Sequence, residues 1–158
     1  MGALRFFIPT APLTSMFLGE HSHSIDQKGR LSVPAKFHQQ LAKGVIVTRG
    51  LDHCLWIYPR EEWEKVARRL ADLPITQKKS RAFARLMLAG AWDAKLDTQN
   101  RLMLPEYLRA YAGLKKHATI AGLFNRLEVW DEDAWQTYRR HTEAEGDTIA
   151  ESLAELGL

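Results

Sequence analysis

Two short segments carry an aspartate four residues ahead of an arginine: Asp26-Gln27-Lys28-Gly29-Arg30 and Asp97-Thr98-Gln99-Asn100-Arg101. Aspartate at the head of a tight turn ordinarily accepts hydrogen bonds from the backbone N–H groups that follow it. An arginine four residues on can pair with that aspartate, but one modest ion pair does not call for a guanidinium in both copies. A rigid hairpin tip bearing arginine suits the DNA major groove, where a two-stranded ribbon fits and a guanidinium pairs bidentately with guanine. Lys28, Arg30 and Arg101 are therefore the candidate DNA-binding residues, with the tips expected to be exposed to solvent. Asp26, Gly29, Asp97 and Asn100 are the residues that support the turns. The second turn has no lysine where the first has Lys28, so the first is expected to carry more of the DNA contact.

Other reactive side chains lack the company that chemistry needs. His53 and Cys54 are neighbours in sequence, but adjacent residues on a strand point to opposite faces, so they form no nucleophile–base pair; Cys54 reads as a half-buried hairpin cysteine. His21 and His23 share one strand face, yet no further metal ligands of suitable spacing follow. There is no glycine-rich phosphate loop and no nucleophile elbow. We assign no catalytic residue, cofactor or metal ligand, and read the five tryptophans as core and as packing between halves.

The turns belong to a longer internal repeat. Ile25-Asp26-Gln27-Lys28-Gly29-Arg30-Leu31-Ser32-Val33-Pro34 recurs as Leu96-Asp97-Thr98-Gln99-Asn100-Arg101-Leu102-Met103-Leu104-Pro105. Further on, Gly50 answers Gly122, Leu55 answers Leu127, Ile57 answers Val129 and Trp63 answers Trp135. The offset grows by one along the way, which reads as a single insertion between Tyr111 and His117.

Each copy reads as strand, turn, strand, short helix, strand, strand, helix. Asp first and Gly last fit a type I turn, and Asn100 is the other residue that tolerates a left-handed backbone. Pro34 and Pro105 are expected at the first helical position. Phe37 with Leu41, and Leu108 with Ala112, should face inward, with Gly113 closing the second short helix. A second hairpin pairs Val45–Thr48 with Cys54–Tyr58, and its counterpart pairs Ala118–Ala121 with Arg126–Trp130. Acidic helix starts follow at Glu61-Glu62 and Asp131-Glu132-Asp133. Trp63, Val66, Ala67 and Leu70 mark one apolar helix face. Between the copies lies a helix from about Gln77 to Ala89, apolar through Phe83, Leu86 and Met87 and basic through Lys78, Lys79, Arg81 and Arg85. No Gly/Ser-rich linker separates the copies, so one shared core is expected.

Charge is unevenly placed. Basic residues outnumber acidic ones by ten to seven over residues 1–75 and by twelve to seven over 76–140, while 141–158 hold five acids and no Lys or Arg. A basic body masked by an acidic tail suits a polyanion. The tail places Ile149, Leu153 and Leu156 on one side, and folding back over the basic face to weaken non-specific DNA binding is one use for it. A single cysteine rules out an intrachain disulfide, and no apolar run is long enough to span a membrane. Pro9 and Pro12 interrupt the apolar opening too early for a signal peptide, so residues 1–15 read as an extension ahead of a second start at Met16.

Met16-Phe17-Leu18-Gly19-Glu20, the Asp26 to Pro34 run and the repeated Asp97 to Arg101 turn together resemble the bacterial MraZ family, over residues 16 to about 145. The resemblance implies an α+β fold of two AbrB-like swapped-hairpin β-barrel half-units with short flanking helices, related by a pseudo-two-fold. The half-units would span 16–75 and 91–142, with a linking helix at 76–90 and the acidic tail at 143–158. It also implies a cytoplasmic, nucleoid-associated transcriptional regulator, usually a repressor of the division and cell-wall operon. Its implied partners are double-stranded DNA, bound at direct repeats in the promoter, and further copies of itself in a ring-shaped homo-oligomer; no membrane and no small-molecule substrate is implied. The competing reading is a structural ring with exposed apolar residues such as Leu123 and Phe124 and no DNA specificity.

Overall fold

A computed structural model describes residues 16–157. The first copy contributes β1 (Phe17–Ser24), β2 (Arg30–Ser32), a turn of 3-10 helix (Ala35–Phe37) running into α1 (His38–Leu41), β3 (Val45–Arg49), β4 (Leu55–Pro59) and α2 (Arg60–Ala71). The connection is α3 (Lys78–Ala84), which widens into a π-helical stretch at Arg85–Ala89. The second copy repeats the series as β5 (Trp92–Ala94), β6 (Arg101–Met103), α4 (Glu106–Tyr111), β7 (His117–Phe124), β8 (Leu127–Asp131) and α5 (Glu132–Ala144), followed by α6 (Gly146–Ser152).

Six strands form one antiparallel sheet in the order β1-β7-β8-β4-β3-β5, while β2 and β6 pair separately. Since β5, β3 and β4 are the copies of β1, β7 and β8, the order reads the same from either edge. The register obeys the same two-fold. In the small sheet Arg30 faces Met103, Leu31 faces Leu102 and Ser32 faces Arg101, so the axis passes between the two leucines. In the large sheet Leu55 faces Val129 and Ile57 faces Leu127, which puts Trp56 and Glu128 on the axis.

Strand pairing corrects the sequence alignment of the copies. Val45 pairs with Pro59 as Ala118 pairs with Asp131, so β7 is offset from β3 by two residues more than the turns are. The second copy thus gains two residues before β7 and loses one in the following loop, instead of gaining one. Gly122 corresponds to Arg49, and Leu123, not Gly122, answers Gly50. The β7 strand also runs on to Phe124, past the expected Ala121, because β1 pairs with it along its whole length, from Phe17 opposite Phe124 to Ser24 opposite His117.

Both copies feed one core. Phe17, Leu31, Phe37, Leu41, Val47 and Ile57 from the first pack with Leu102, Leu104, Leu108, Ile120, Leu127 and Val129 from the second. Burying a side chain of this size contributes roughly 1.5–3 kcal/mol, so neither half keeps its apolar face from water alone. Pro34 and Pro105 lie one place earlier than expected: both cap their helices with extended backbone (ψ 135° and 156°) and stand just outside the first helical residue. Gly113 takes the left-handed φ of +61° that ends α4. Cys54 is fully buried, not half-buried, with its Sγ directed at the Leu51 carbonyl at 3.1 Å.

Four of the five tryptophans pack within a half or between the halves, whereas Trp92 of β5, expected to do the same, lies exposed on the edge strand of the sheet. Trp56 Nε1 and Trp130 Nε1 both donate to Glu128, at 2.8 and 3.1 Å, and Arg126 stacks over the Trp56 ring, joining the halves at the axis. Trp63 packs on Tyr58 as Trp135 packs on Trp130. At the sheet edges, α5 holds β1 through Arg139 and Trp135 on Glu20, and Arg60 of α2 pairs with Asp93 of β5.

Candidate nucleic-acid interface

Each Asp-x-x-x-Arg segment closes in the same way. Gly29 N–H donates to the Asp26 carbonyl at 3.0 Å, and Asn100 N–H to the Asp97 carbonyl at 2.9 Å, giving the i to i+3 turn bond. The aspartate side chain then stitches the tip from outside: Asp26 Oδ1 accepts from the N–H of Lys28 and Arg30, and Asp97 Oδ1 from the N–H of Gln99 and Arg101, all between 2.9 and 3.0 Å. Gly29 and Asn100 occupy the left-handed place, with φ of +83° and +58°. The second carboxylate oxygen takes the arginine, Arg30 Nε at 2.6 Å and Arg101 Nε at 3.0 Å. Hydrogen bonds from the backbone N–H of Arg30 and Arg101, foremost among several donors, hold both carboxyls below the usual aspartate range.

The tips differ from free-standing projections. Side chains of Arg30 and Arg101 are 29% and 21% exposed, since the β2–β6 pairing brings the turns together instead of leaving each alone. Val33 N–H donates to the Asn100 carbonyl at 3.3 Å, and Leu104 N–H to the Gly29 carbonyl at 2.9 Å, so each turn is clasped by the strand end of the other half. Arg101 Nη1 also lies 3.6 Å from Asp26 Oδ2, which links the second arginine to the first turn. The result is a single composite surface with Asp26, Arg30, Asp97 and Arg101 in one charge cluster. Lys28 stands beside it, exposed and without an ion-pair partner among the described residues.

An arginine bound through Nε keeps its two Nη groups for another acceptor. The aspartates therefore fix the plane of each guanidinium; Arg30 keeps a two-pronged donor edge, the geometry that guanine or phosphate accepts, whereas Arg101 turns its Nη1 toward Asp26 and keeps one Nη. One contributor was not anticipated. Arg109 of α4 lies against Gly29, and nothing in a helix-face pattern marks it, because its target belongs to the other half.

The remaining candidates do not assemble into a site. Among the described residues no cluster of His, Cys, Asp and Glu is placed to hold a metal ion. His21 packs edge-on to Phe37, and burial together with the neighbouring His21 and His38 keeps His23 below the usual histidine range. Burial, then the nearby Glu128 and Asp52, pushes the Cys54 thiol well above its usual range, where it is a poor nucleophile. No helix of the described residues is long and apolar enough to cross a membrane.

Fold and site together define an internally duplicated α+β protein that presents two aspartate-braced arginine turns on one pseudo-two-fold axis. A profile of the MraZ protein family, described as antitoxin-like, matches residues 16–86 and again residues 87–155. A transcriptional regulator MraZ from Desulfitobacterium hafniense (strain DSM 10664 / DCB-2) is 46% identical over 143 residues, which is 90% of this chain and all of that protein. Proteins of the same name from Halothermothrix orenii and Pediococcus pentosaceus are 43% and 45% identical over the same shares. The chain belongs to the MraZ family.

Proposed function

We propose that this protein is a transcriptional regulator that reads DNA with the composite surface of its two Asp-x-x-x-Arg turns. The observation that carries the reading is the juxtaposition of Arg30 and Arg101 at the β2–β6 pair, each held through Nε by its own aspartate, with both Nη groups of Arg30 and one of Arg101 left for another acceptor. Lys28 and Arg30 make the larger contribution, because Arg101 also spends part of its charge on Asp26. The likeness to proteins named transcriptional regulator MraZ supports the same reading.

In this proposal the β2–β6 pairing is the swapped hairpin of an AbrB-like barrel formed within one chain. Half-units at 16–75 and 91–142 flank a linking helix at 76–90, with an acidic tail at 143–158. The protein acts in the cytoplasm at the nucleoid, as a repressor of the division and cell-wall operon, on direct repeats in the promoter. One subunit offers few phosphate contacts and binds weakly and salt-sensitively. A ring-shaped homo-oligomer gains affinity through effective concentration, and head-to-tail contacts that close suit direct repeats as two-fold dimers suit palindromes.

The test is a gel-shift titration of the protein's own promoter with Arg30→Ala. Binding is lost while the oligomer, followed by light scattering, is unchanged; wild-type affinity in this variant overturns the role of Arg30. The alternative, an oligomer without DNA specificity, draws on the exposed Leu18, Leu123 and Phe124 at the open end of β1 and β7. That reading wins if the wild-type protein assembles but shifts random and promoter duplexes equally.

A further inference from the structure

The tip glycine of the first turn is buried, and the residue that buries it comes from the other half. A Cβ at Gly29 would lie 2.7 Å from Arg109 Nε and 2.8 Å from its Cζ. Arg109 Nε donates to the Leu104 carbonyl at 2.9 Å, and the Leu104 N–H donates back to the Gly29 carbonyl. The guanidinium is therefore locked beside the turn that carries Lys28 and Arg30. Among the described residues it has no carboxylate partner, and neither Nη group makes a hydrogen bond. A rigid, permanently charged fork with idle donors is suited to a phosphate.

The second turn is built from the same parts with two exchanged. Asn100 stands where the first turn has Gly29, and His38 of α1 stands where α4 has Arg109. His38 Nε2 lies 2.7 Å from the Val33 carbonyl, the counterpart of the Arg109 to Leu104 bond, and Val33 N–H donates to Asn100. The two combinations are matched. A glycine leaves room for the guanidinium to lie over the turn, whereas an asparagine side chain goes with the shorter imidazole.

We propose that Arg109 is the third phosphate-binding cation of the first turn, supplied across the two-fold by the second half. The Gly29–Arg109 pair makes the first turn the stronger DNA contact. This rests on the DNA-binding reading above and deepens it: Lys28, Arg30 and Arg109 serve one turn, against Arg101 and His38 at the other.

The experiment measures binding of the full-length protein to a duplex carrying its own promoter repeats, by fluorescence anisotropy over a salt series. The variants are Arg109→Gln, Arg109→Lys and the double Asn100→Gly/His38→Arg, with oligomeric state followed in parallel. Each phosphate contact contributes about 0.9 to the slope of log K against log salt. Arg109→Gln weakens binding and flattens the slope by about one for each engaged protomer, and Arg109→Lys restores most of the slope. The double variant, which gives the second turn a Gly–Arg pair of its own, tightens binding and steepens the slope. Weaker binding by Arg109→Gln at an unchanged slope overturns the proposal, since Arg109 would then only position Gly29; wild-type affinity and slope overturn it too. Should Arg109→Gln not fold, the double variant decides, and wild-type binding by it overturns the proposal. Failure of the wild-type protein to bind sinks the DNA reading itself, whereas loss in Arg30→Ala with none in Arg109→Gln sinks the Arg109 assignment alone.

Discussion

Gly29 and Asn100 occupy equivalent left-handed places, and backbone conformation alone would let either residue serve at both. Their surroundings differ enough that exchanging them has unequal consequences. In Gly29→Asn the left-handed strain is small, because asparagine visits that region readily. The new Cβ, however, falls 2.9 Å from the Leu104 carbonyl oxygen as well as on the Arg109 side chain. Arg109 can swing away, but the carbonyl is backbone of the core-facing strand end and can retreat only by breaking the Leu104 to Gly29 hydrogen bond. Losing that bond and the Arg109 to Leu104 bond costs about 1 kcal/mol each, and residual overpacking adds about 1–2 kcal/mol. The sum is about 3–4 kcal/mol. At about 2–4 °C per kcal/mol for a domain of this size, the melting temperature falls by roughly 5–15 °C. Asn100 is exposed, and Asn100→Gly stays within about 0.5 kcal/mol of wild type. Circular dichroism melts at one matched protein concentration read both variants, since assembly makes Tm concentration-dependent. Equal Tm shifts for Gly29→Asn and Asn100→Gly would refute the claim that the second half closes over the first turn.

Other consequences follow from the same contacts. Leu31 and Leu102 face each other on the axis with no exposure, so Leu102→Ala costs about 2–5 kcal/mol in urea unfolding; a loss under 1 kcal/mol would show that the small sheet is not part of the core. Glu128→Ala removes the shared acceptor of Trp56 and Trp130 and leaves Arg126 without its ion pair, and is expected to red-shift tryptophan emission and lower Tm; an unchanged spectrum would count against the contact. Asp26 and Asp97 titrate below the usual aspartate range when folded. Their stabilisation is complete above the unfolded aspartate pKa and lost as pH falls through the lowered folded value, so the double Asp→Asn variant should be less stable than wild type at neutral pH and approach it once the pH falls below that folded value. Persistence of the full gap at acid pH would remove the carboxylates from the account. Cys54, buried and raised, should resist a water-soluble alkylating reagent in native protein and react fully in denaturant, as followed by mass spectrometry; rapid native labelling would show that its hairpin opens.

Much of this was legible in the sequence because it is local. The two turns announce themselves through Asp, Gly or Asn, and Arg at fixed spacing, and the inward faces of the short helices through Phe37, Leu41, Leu108 and Ala112. What stayed hidden is carried by pairings between distant segments. Strands of three residues such as Arg30–Ser32 and Arg101–Met103 have no periodicity to reveal that they pair with each other. Glu128 sits on a strand where a solvent-facing residue would look the same, so its role as acceptor for two tryptophans is visible only once Trp56 is opposite it. Matching Gly50 to Gly122 by identity misplaced the register, because neither has the positive φ that would have tied glycine to that place. The burial of Gly29 was missed because Arg109 is eighty residues away and belongs to the other copy.

The most direct test of the composite turn surface is to find where DNA touches the protein. A photoreactive duplex bearing the promoter repeats, cross-linked to the full-length protein and mapped by mass spectrometry, should label residues 26–30 and 97–101, with the first turn labelled more heavily. Labelling confined to the basic face of α3, at Lys78, Lys79, Arg81 and Arg85, with none on either turn, would contradict the account.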